Sequence, residues 1–548
     1  MMKQLTWIFG AAIVVYLIGF GIDVMDIDAS QYAGMSREMM RSGSYLQVYE
    51  YGKDYLDKPP FLLWVSALSM KVFGVNNFAY KFPSLLFALL ALFSTYKLSL
   101  LYYKKEVAIL AALVLASCQA FFLMTNDVRT DTILMSWVIF SIWQLASWFK
   151  TDKLLHFVFG CAGIAGGLLT KGPIALMIPL FAFGAHFLMH RNLKVFFRWQ
   201  YLLGIVIIAL LLLPMCIGLY QQFDMQPQKI VHGKTGVSGL RFFFWTQSFG
   251  RITGESVWNN NANIFFLFQN LLWGFLPWIF VFIAAFVTEI KAIIQKRGRL
   301  HVSEEWICMG GFILGYLALG SSRYQLPHYI YVTLPFIAII TAKYLHKLCF
   351  ENGRVRTLKL FEKTHFVLFA LLWVAVAVLL FYSFPAPILV QAASVAGTAG
   401  FLLLFFKKRW ATHFIAMCLS SMIGINFFLN IWLYPAILQY QVGSNVGRWI
   451  KEKQIPATQI FTYKDKLWHS LQFYANADFA HKDSTDAVLS GEYLITAKDH
   501  LPRLDSAKTN YDIVYEMGSF KVSQLKLRFL NPASREKIVR PFVVIKIR

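Results

Sequence analysis

The sequence predicts a polytopic α-helical membrane protein that ends in a small α/β domain. Of the 548 residues, 57% are hydrophobic and 15% are charged, whereas a soluble domain averages about 25% charged residues. Apolar runs of bilayer-spanning length recur as far as residue 434. After residue 440, short β-type runs alternate with charged residues instead. We therefore divide the chain into a transmembrane region, 1–440, and a C-terminal domain, 441–548.

About thirteen segments are apolar enough to be transmembrane helices. They are 5–22, 79–102, 107–125, 132–149, 154–170, 173–190, 200–220, 263–288, 304–320, 327–345, 364–384, 387–406 and 411–434. The run 61–74 is too short to span and contains polar residues, so we expect a helix that lies in the membrane interface. The C-terminal domain should be a compact α/β unit with strands at 459–463, 493–496 and 542–545 and a helix at 447–454.

The net charge of +23 is better explained by membrane topology and lipid contact than by nucleic-acid binding. With a cytoplasmic N-terminus, the even-numbered loops are the basic ones, and the positive-inside rule places them in the cytoplasm. They include Lys104, Lys105, Lys150, Lys153, Arg191, Lys194 and Arg198. The odd-numbered loops and the C-terminal domain then face outward. The six cysteines form no CxxC pair, which predicts neither a zinc cluster nor a disulfide framework.

Three aspartates in two outward loops are candidate catalytic acids. Asp28 follows the first span, whereas Asp127 and Asp131 join the third span to the fourth. A carboxylate beside a bilayer is costly unless it is paired or used, and one here could activate an acceptor or hold a metal. Asp28 and Asp131 are equally placed to be helix N-caps, so the local pattern leaves both interpretations open.

The outward loops also carry candidate residues for binding an anion. Lys58 precedes two prolines that fix the backbone, Lys171 is a lone cation in an outward turn, and Arg251 suits planar phosphate recognition. Tyr32, Gln247, Arg323 and Tyr329 are candidates for hydrogen bonds to the same ligand. Asp57 and His328 are candidate ligands of a divalent metal ion. The plainer interpretations are a solvated ion pair for Asp57 and Lys58, and a lysine that reaches the lipid headgroups for Lys171. For the region of Gln247 and Arg251 the alternative is an aromatic belt, and for His328 it is a structural histidine.

Five of these motifs occur together in an order that resembles a known family. They are Asp28-x-x-x-Tyr32-x-x-x-Ser36-Arg37-Glu38-Met39, Asp57-Lys58-Pro59-Pro60, Leu168-Leu169-Thr170-Lys171-Gly172, Gly274-Phe275-Leu276-Pro277-Trp278 and Leu326-Pro327-His328-Tyr329. The chain resembles the GT-C membrane glycosyltransferases of the protein O-mannosyltransferase and lipid A aminoarabinose transferase type. The resemblance covers residues 5–345, and later spans match by topology.

The resemblance implies the GT-C fold and transfer of a sugar from a polyprenyl phosphate donor to a lipid, glycan or protein acceptor. It implies a bacterial inner membrane, with the reaction on the extracytoplasmic face. Asp28 would be the essential acid, and Asp131 or Asp127 the second one. Lys58 would contact the donor phosphate beside Arg251, Arg323 and Tyr329, and Asp57 would bind a metal ion. A transporter or flippase of lipid-linked sugars, and a membrane scaffold, are the alternatives from other functional classes.

Overall fold

The chain is helical up to residue 440, apart from two small hairpins, and carries a sheet after residue 460. The computed structural model describes residues 2–231, 233–255, 258–296, 304–351, 355–406, 413–465, 468–484 and 488–548. Helices of the first half are α1 Met2–Ile18, α2 Asp28–Ser42, α3 Phe61–Phe73, α4 Asn77–Tyr102, α5 Lys105–Ser117, α6 Gln119–Asn126, α7 Thr130–Thr151, α8 Leu154–Lys171, α9 Ile174–Met189 and α10 Gln200–Leu219.

The second half continues with short helices in a loop and then with longer ones. They are α11 Gly239–Arg241, α12 Gly250–Thr253, α13 Phe265–Gly274, α14 Ile279–Gln295, α15 Ile307–Gly320, α16 Leu334–His346, α17 Val355–Val378, α18 Ile388–Phe406, α19 His413–Phe428 and α20 Tyr434–Leu438. Helices of the C-terminal region are α21 Val442–Glu452, α22 His469–Ala475, α23 Leu501–Ser506, α24 Leu527–Leu530 and α25 Pro532–Arg535. A π-helical turn, Leu379–Ser383, extends α17.

The predicted polytopic helical architecture is confirmed. Each of the thirteen predicted segments contains a helix or two consecutive helices, although residues 411 and 412 lie outside the described part of the last one. Eight described helices are long and apolar enough to cross a bilayer, and α5 with α6, bent by 58°, makes a ninth candidate. Shorter apolar helices such as α9 and α15 add to the bundle. The exact number of crossings therefore stays a prediction.

The first loop folds over one end of this bundle. It contains α2, a hairpin of β1 (Tyr49–Glu50) with β2 (Lys53–Asp54), and α3, which corresponds to the predicted interfacial helix. Its apolar residues, among them Tyr32, Met35 and Leu62, form a core that also takes in Phe473 of α22. Burial of shared apolar surface therefore joins the first loop to the C-terminal region.

The C-terminal region is built on a mixed five-stranded sheet. Its strands are β5 Ile460–Tyr463, β6 Ala480–Lys482, β7 Tyr493–Ala497, β8 Tyr511–Ser519 and β9 Arg540–Ile547; the loop hairpin of β3 Ile230–Val231 and β4 Lys234–Thr235 precedes them. The order is β6-β5-β7-β9-β8, with β5 parallel to both neighbours and β9 antiparallel to both of its own. Strands β5, β7 and β9 were predicted, whereas β6 and β8 were not.

Candidate active site

A recess opens at the end of the helical bundle that the first loop covers. The empty space in the recess, including space open to solvent, is about 760 Å³. The polar lining residues are Lys58, Asp131, Lys171, Gln247, Ser248, Arg251, Ser322 and Tyr329, and the apolar ones include Leu134, Ile174, Met177, Leu319 and Val332. Six residues selected from the sequence as candidates therefore meet in one place. The recess combines three cationic side chains with one carboxylate and an apolar wall, which suits an amphiphilic anion.

Asp131 is the carboxylate of the recess. It is the second residue of α7 and is 2% exposed, and no side-chain cap bond is formed at this helix start. Lys171, the last residue of α8, donates a hydrogen bond to its Oδ1. His328 Nε2 lies 3.6 Å from its Oδ2. Asp131 is thus a buried acid held by a cation rather than a helix cap, as buried charges require.

Arg251 and Lys171 approach Tyr329 from two directions. Arg251 Nη1 donates a 2.8 Å hydrogen bond to the Tyr329 hydroxyl, and the Lys171 ammonium lies 3.9 Å from the centre of its ring. Arg251 Nε is buried and forms no hydrogen bond within the described residues. Arg323 joins this group through its backbone, since its N–H donates to the Arg251 carbonyl over 3.3 Å, while its side chain stays exposed. Arg323 therefore lies beside the recess and does not line it.

Lys58 lines the recess from the loop side. Burial lowers its pKa, and the positive charge of Arg251 lowers it further, whereas Asp131, Asp57 and Asp28 act in the opposite direction. It also lines a smaller cavity of about 350 Å³ with Tyr55, Met215 and Phe243 among its walls. An ammonium in this setting gains from a bound anion that compensates its lost hydration.

Asp28 and Asp127 share one arginine. Arg129 donates to Asp28 Oδ2 and, over 2.8 Å, from Nε to Asp127 Oδ2. Burial alone would lower the pKa of Arg129, but the two carboxylates raise it above its ordinary value. Asp28 is the first residue of α2, whose N-cap is Ile27, so the N-cap interpretation is wrong. Arg129 was not singled out from the sequence, although its position between two selected aspartates was an available signal.

Tyr32 lies below Asp28 in the first-loop core and is 5% exposed. Burial raises its pKa, and the negative charge of Asp28 raises it further. The Tyr32 hydroxyl is therefore neutral at physiological pH, and the residue does not line the recess.

The candidate metal ligands do not complete a metal site. Asp57 lies near Glu50, whose pKa it raises in addition to the larger effect of burial, whereas His328 faces Asp131. Within the described ranges, no three His, Cys, Asp or Glu side chains come together in a metal-binding arrangement. Structural zinc and calcium ions usually need more protein ligands than this. The metal ion stays a prediction, and no step of the chemistry is assigned to it.

The C-terminal region contacts the first loop close to these residues. The Tyr51 hydroxyl lies 2.6 Å from His469 Nδ1, and Glu50 Oε1 lies 3.5 Å from the same nitrogen. Burial lowers the pKa of His469 to about 4, despite the opposing effect of the Asp28 charge. His469 is therefore neutral at pH 7 and acts by hydrogen bonding. Sequence reasoning missed this contact because the partners are 418 residues apart.

Sequence comparisons identify a family model and several relatives. Residues 57–217 match the family described as dolichyl-phosphate-mannose-protein mannosyltransferase. An uncharacterized protein of Aquifex aeolicus (strain VF5) is 24% identical over 87% of each chain. The undecaprenyl phosphate-alpha-4-amino-4-deoxy-L-arabinose arabinosyl transferase 2 of Proteus mirabilis (strain HI4320) is 25% identical over 58% of this chain. That match spans 54% of the relative's own length.

The fold is similar to a solved structure over nearly its whole length. ArnT from Cupriavidus metallidurans, bound to undecaprenyl phosphate, superposes with a TM-score of 0.75 and 17% identity, covering 99% of this chain and 98% of that one. The expected GT-C fold is therefore confirmed. The chain is therefore a multi-pass membrane protein with the fold of that structure, and its residues 57–217 are similar to the dolichyl-phosphate-mannose-protein mannosyltransferase family.

Proposed function

We propose that the chain transfers a sugar from a polyprenyl phosphate, with undecaprenyl as the expected prenyl chain, to a lipid, glycan or protein acceptor. The observation that carries the proposal is the recess, in which Lys58, Lys171 and Arg251 line one cavity beside an apolar wall. A lipid-linked phosphate has this combination of negative charge and apolar chain. The arabinosyl transferase of Proteus mirabilis, which is named for undecaprenyl phosphate, and the undecaprenyl phosphate bound to ArnT of Cupriavidus metallidurans support the same donor class.

The reaction places negative charge on the donor phosphate. The bond between the anomeric carbon and the phosphate oxygen breaks, and its electron pair leaves with the polyprenyl phosphate. Fixed positive charge at this oxygen stabilises the transition state because it is already oriented. Lys58 and Arg251 are the proposed contacts, Lys171 contributes through its pair with Asp131, and Gln247 and Tyr329 supply hydrogen bonds.

The acceptor oxygen forms the new bond to the anomeric carbon from the opposite face. Direct displacement inverts the configuration at this carbon. If the acceptor is an alcohol, its proton must go to a base, and we assign that role to Asp28, with Asp131 stabilising positive charge at the sugar. Arg129 holds Asp28 and Asp127 in place. An anionic acceptor would need no base.

The site is proposed to face away from the cytoplasm. Basic residues such as Lys104, Lys150 and Arg198 lie at the opposite end of the spans and support a cytoplasmic position for that end. The recess and residues 441–548 would then lie on the extracytoplasmic, periplasmic side of a bacterial inner membrane. The boundary at residue 440 is part of this proposal.

Purified chain in proteoliposomes, supplied with a radiolabelled polyprenyl-phosphate sugar and candidate acceptors, tests the proposal. We expect labelled product and free polyprenyl phosphate in equal amounts. Translocation of intact donor without bond cleavage would support a flippase and overturn the assignment. Mass spectrometry of glycolipids and glycoproteins with and without the chain would identify the acceptor.

A further inference from the structure

One surface segment of the C-terminal region combines exposed leucines with exposed cations. We call residues 521–530 the rim segment. Leu527 is 85% exposed and Leu525 is 45% exposed, while Phe529 is fully buried on the other side. The exposed cations beside them are Lys521, Lys526 and Arg528. Exposed apolar side chains among lysines and arginines are typical of segments that lie in a membrane interface.

The rim segment is fixed to the end of a transmembrane helix. The Phe529 ring lies 5.9 Å from the Phe384 ring, just past the π-helical turn that ends α17. The Tyr382 hydroxyl in that turn donates a 3.0 Å hydrogen bond to Asn531 Oδ1. Since residues 356–383 form a candidate span, the rim segment lies at the level where this helix leaves the hydrocarbon core.

Neighbouring contacts strengthen this placement. The Arg535 guanidinium lies 3.9 Å from the centre of the Phe384 ring and donates to the Ser383 carbonyl. The next span, α18, begins at this same end of the bundle with Ile388 and Leu389, which are 75% and 80% exposed. Exposed residues at the start of a span face lipid, so the rim segment stands beside a lipid-facing surface.

We propose that the rim segment binds the phospholipid leaflet on its side of the membrane. Leu525 and Leu527 insert among the upper acyl-chain carbons, while Lys521, Lys526 and Arg528 contact anionic phospholipid headgroups. Its occupant is thus bulk phospholipid and not the sugar acceptor. The inference requires that α17 spans the membrane and does not depend on glycosyl transfer. The C-terminal region is then held at two places, on the first loop and on the bilayer.

Site-directed fluorescence quenching in nanodiscs tests this proposal with the full chain. Leu527→Cys carries a bimane label, after the six free cysteines are replaced by serine, and the nanodiscs contain phosphatidylcholine, phosphatidylglycerol and a lipid spin-labelled near the headgroup. Leu489→Cys is the matched control, because Leu489 is 65% exposed in the same region. Gly491, two residues from Leu489, bonds to Ile547 at the end of β9, whereas Ser519, two residues before the rim segment, pairs with Arg540 at the start of that strand, roughly 25 Å away along it.

We expect several-fold stronger quenching at position 527 than at 489 without any added acceptor. Quenching at position 527 should be stronger when the nanodiscs contain phosphatidylglycerol than when they do not. Combining Lys526→Gln with Arg528→Gln should remove that increase. Equal quenching at both positions, or quenching at 527 that appears only when a sugar acceptor or a second protein is added, would overturn the proposal. A photoreactive benzoylphenylalanine at 527 in the chain with its native cysteines gives an independent readout, since cross-linked phospholipid is detected by mass; cross-linking of 489 to the same extent would also overturn it.

Discussion

Arg251 in the recess and Gln441 at the contact between the first loop and the C-terminal region differ in how fully their side-chain polar groups are bonded. At the contact, Gln441 accepts from the Asp26 N–H over 2.9 Å and donates to the Val24 carbonyl over 2.9 Å. In the recess, Arg251 donates from Nη1 to Tyr329 but leaves its Nε without a hydrogen bond among the described residues. Saturated bonding favours a fixed attachment, whereas charges with spare bonding capacity favour a ligand site.

Both regions use the same stretch of sequence. Asp26 accepts from Ser470 Oγ over 2.8 Å and thereby attaches the loop to α22, while Asp28, two residues later, accepts from Arg129 and is close enough to Lys58 to raise its pKa. Two residues of one loop, two positions apart, can therefore have different roles. One attaches the loop to the C-terminal region, and the other belongs to the proposed site. The comparison predicts large losses of activity from changes in the recess, and losses of stability from changes at the contact.

The largest effect is expected for the recess cations. Arg251→Gln or Lys58→Ala removes positive charge from the departing phosphate and should lower the rate of sugar transfer roughly 10²–10³-fold, with the fold intact. Radiometric transfer assays in proteoliposomes measure this rate. Arg241→Gln and Lys53→Ala are matched controls, because both residues are exposed and outside the recess, and both variants should keep normal rates. Equal losses in the controls would contradict a localised phosphate site.

Asp28→Asn tests the acid beside the recess. The amide can still bond to Arg129, which stays attached to Asp127, but it cannot take up a proton. We expect a loss of roughly 10²-fold in turnover with an alcohol acceptor, the effect of removing a general base. Asp54→Asn is the control, since Asp54 bonds to Gln222 and Lys229 away from the recess. Near-normal turnover of Asp28→Asn would refute its assigned role.

Gln441→Ala tests the attachment. Gln441 is 3% exposed, and its removal leaves the Val24 carbonyl and the Asp26 N–H without this partner. Unpaired buried groups cost about 1–3 kcal/mol, so the unfolding temperature should fall while donor affinity changes little. Gln439→Ala is the control because Gln439 is exposed two residues away. A loss of donor binding without a loss of stability would break the distinction between the two regions.

The smallest effect is expected in the alkaline limb of the pH profile of donor binding. Because burial and Arg251 lower the pKa of Lys58, its ammonium loses a proton at a lower pH than an ordinary lysine, and donor binding should weaken as pH rises through that value. Lys58→Arg keeps its charge, so the alkaline limb should move to higher pH. Lys53→Arg should leave the limb unchanged. Coincident limbs for Lys58→Arg and the native chain would show that this proton does not control binding.

The apolar helices, and the grouping of several candidate residues at one end of the bundle, were predictable from local sequence. Bilayer-length apolar runs and the distribution of lysine and arginine depend on residues close in the chain. Lys58, Lys171 and Arg251 could therefore be assigned to the same end of the helical bundle. The bonding within the site was not predictable. Arg129 reaches Asp28 across 101 residues, and His469 reaches Tyr51 across 418, and no local pattern encodes such pairs. The cationic hydrogen-bond partner of Asp131, Lys171, likewise comes from α8, and an aspartate at a helix start fitted two interpretations.

Direct binding of undecaprenyl phosphate, the form in which the donor lipid leaves, tests the central claim most directly. Native mass spectrometry of the chain in nanodiscs can count bound lipid phosphate without any acceptor or turnover. We predict one bound undecaprenyl phosphate per native chain and per Arg241→Gln chain, and a loss of that adduct in the Lys58→Ala, Arg251→Gln double variant. Retention of the adduct by the double variant at the native level would contradict the assignment of the recess.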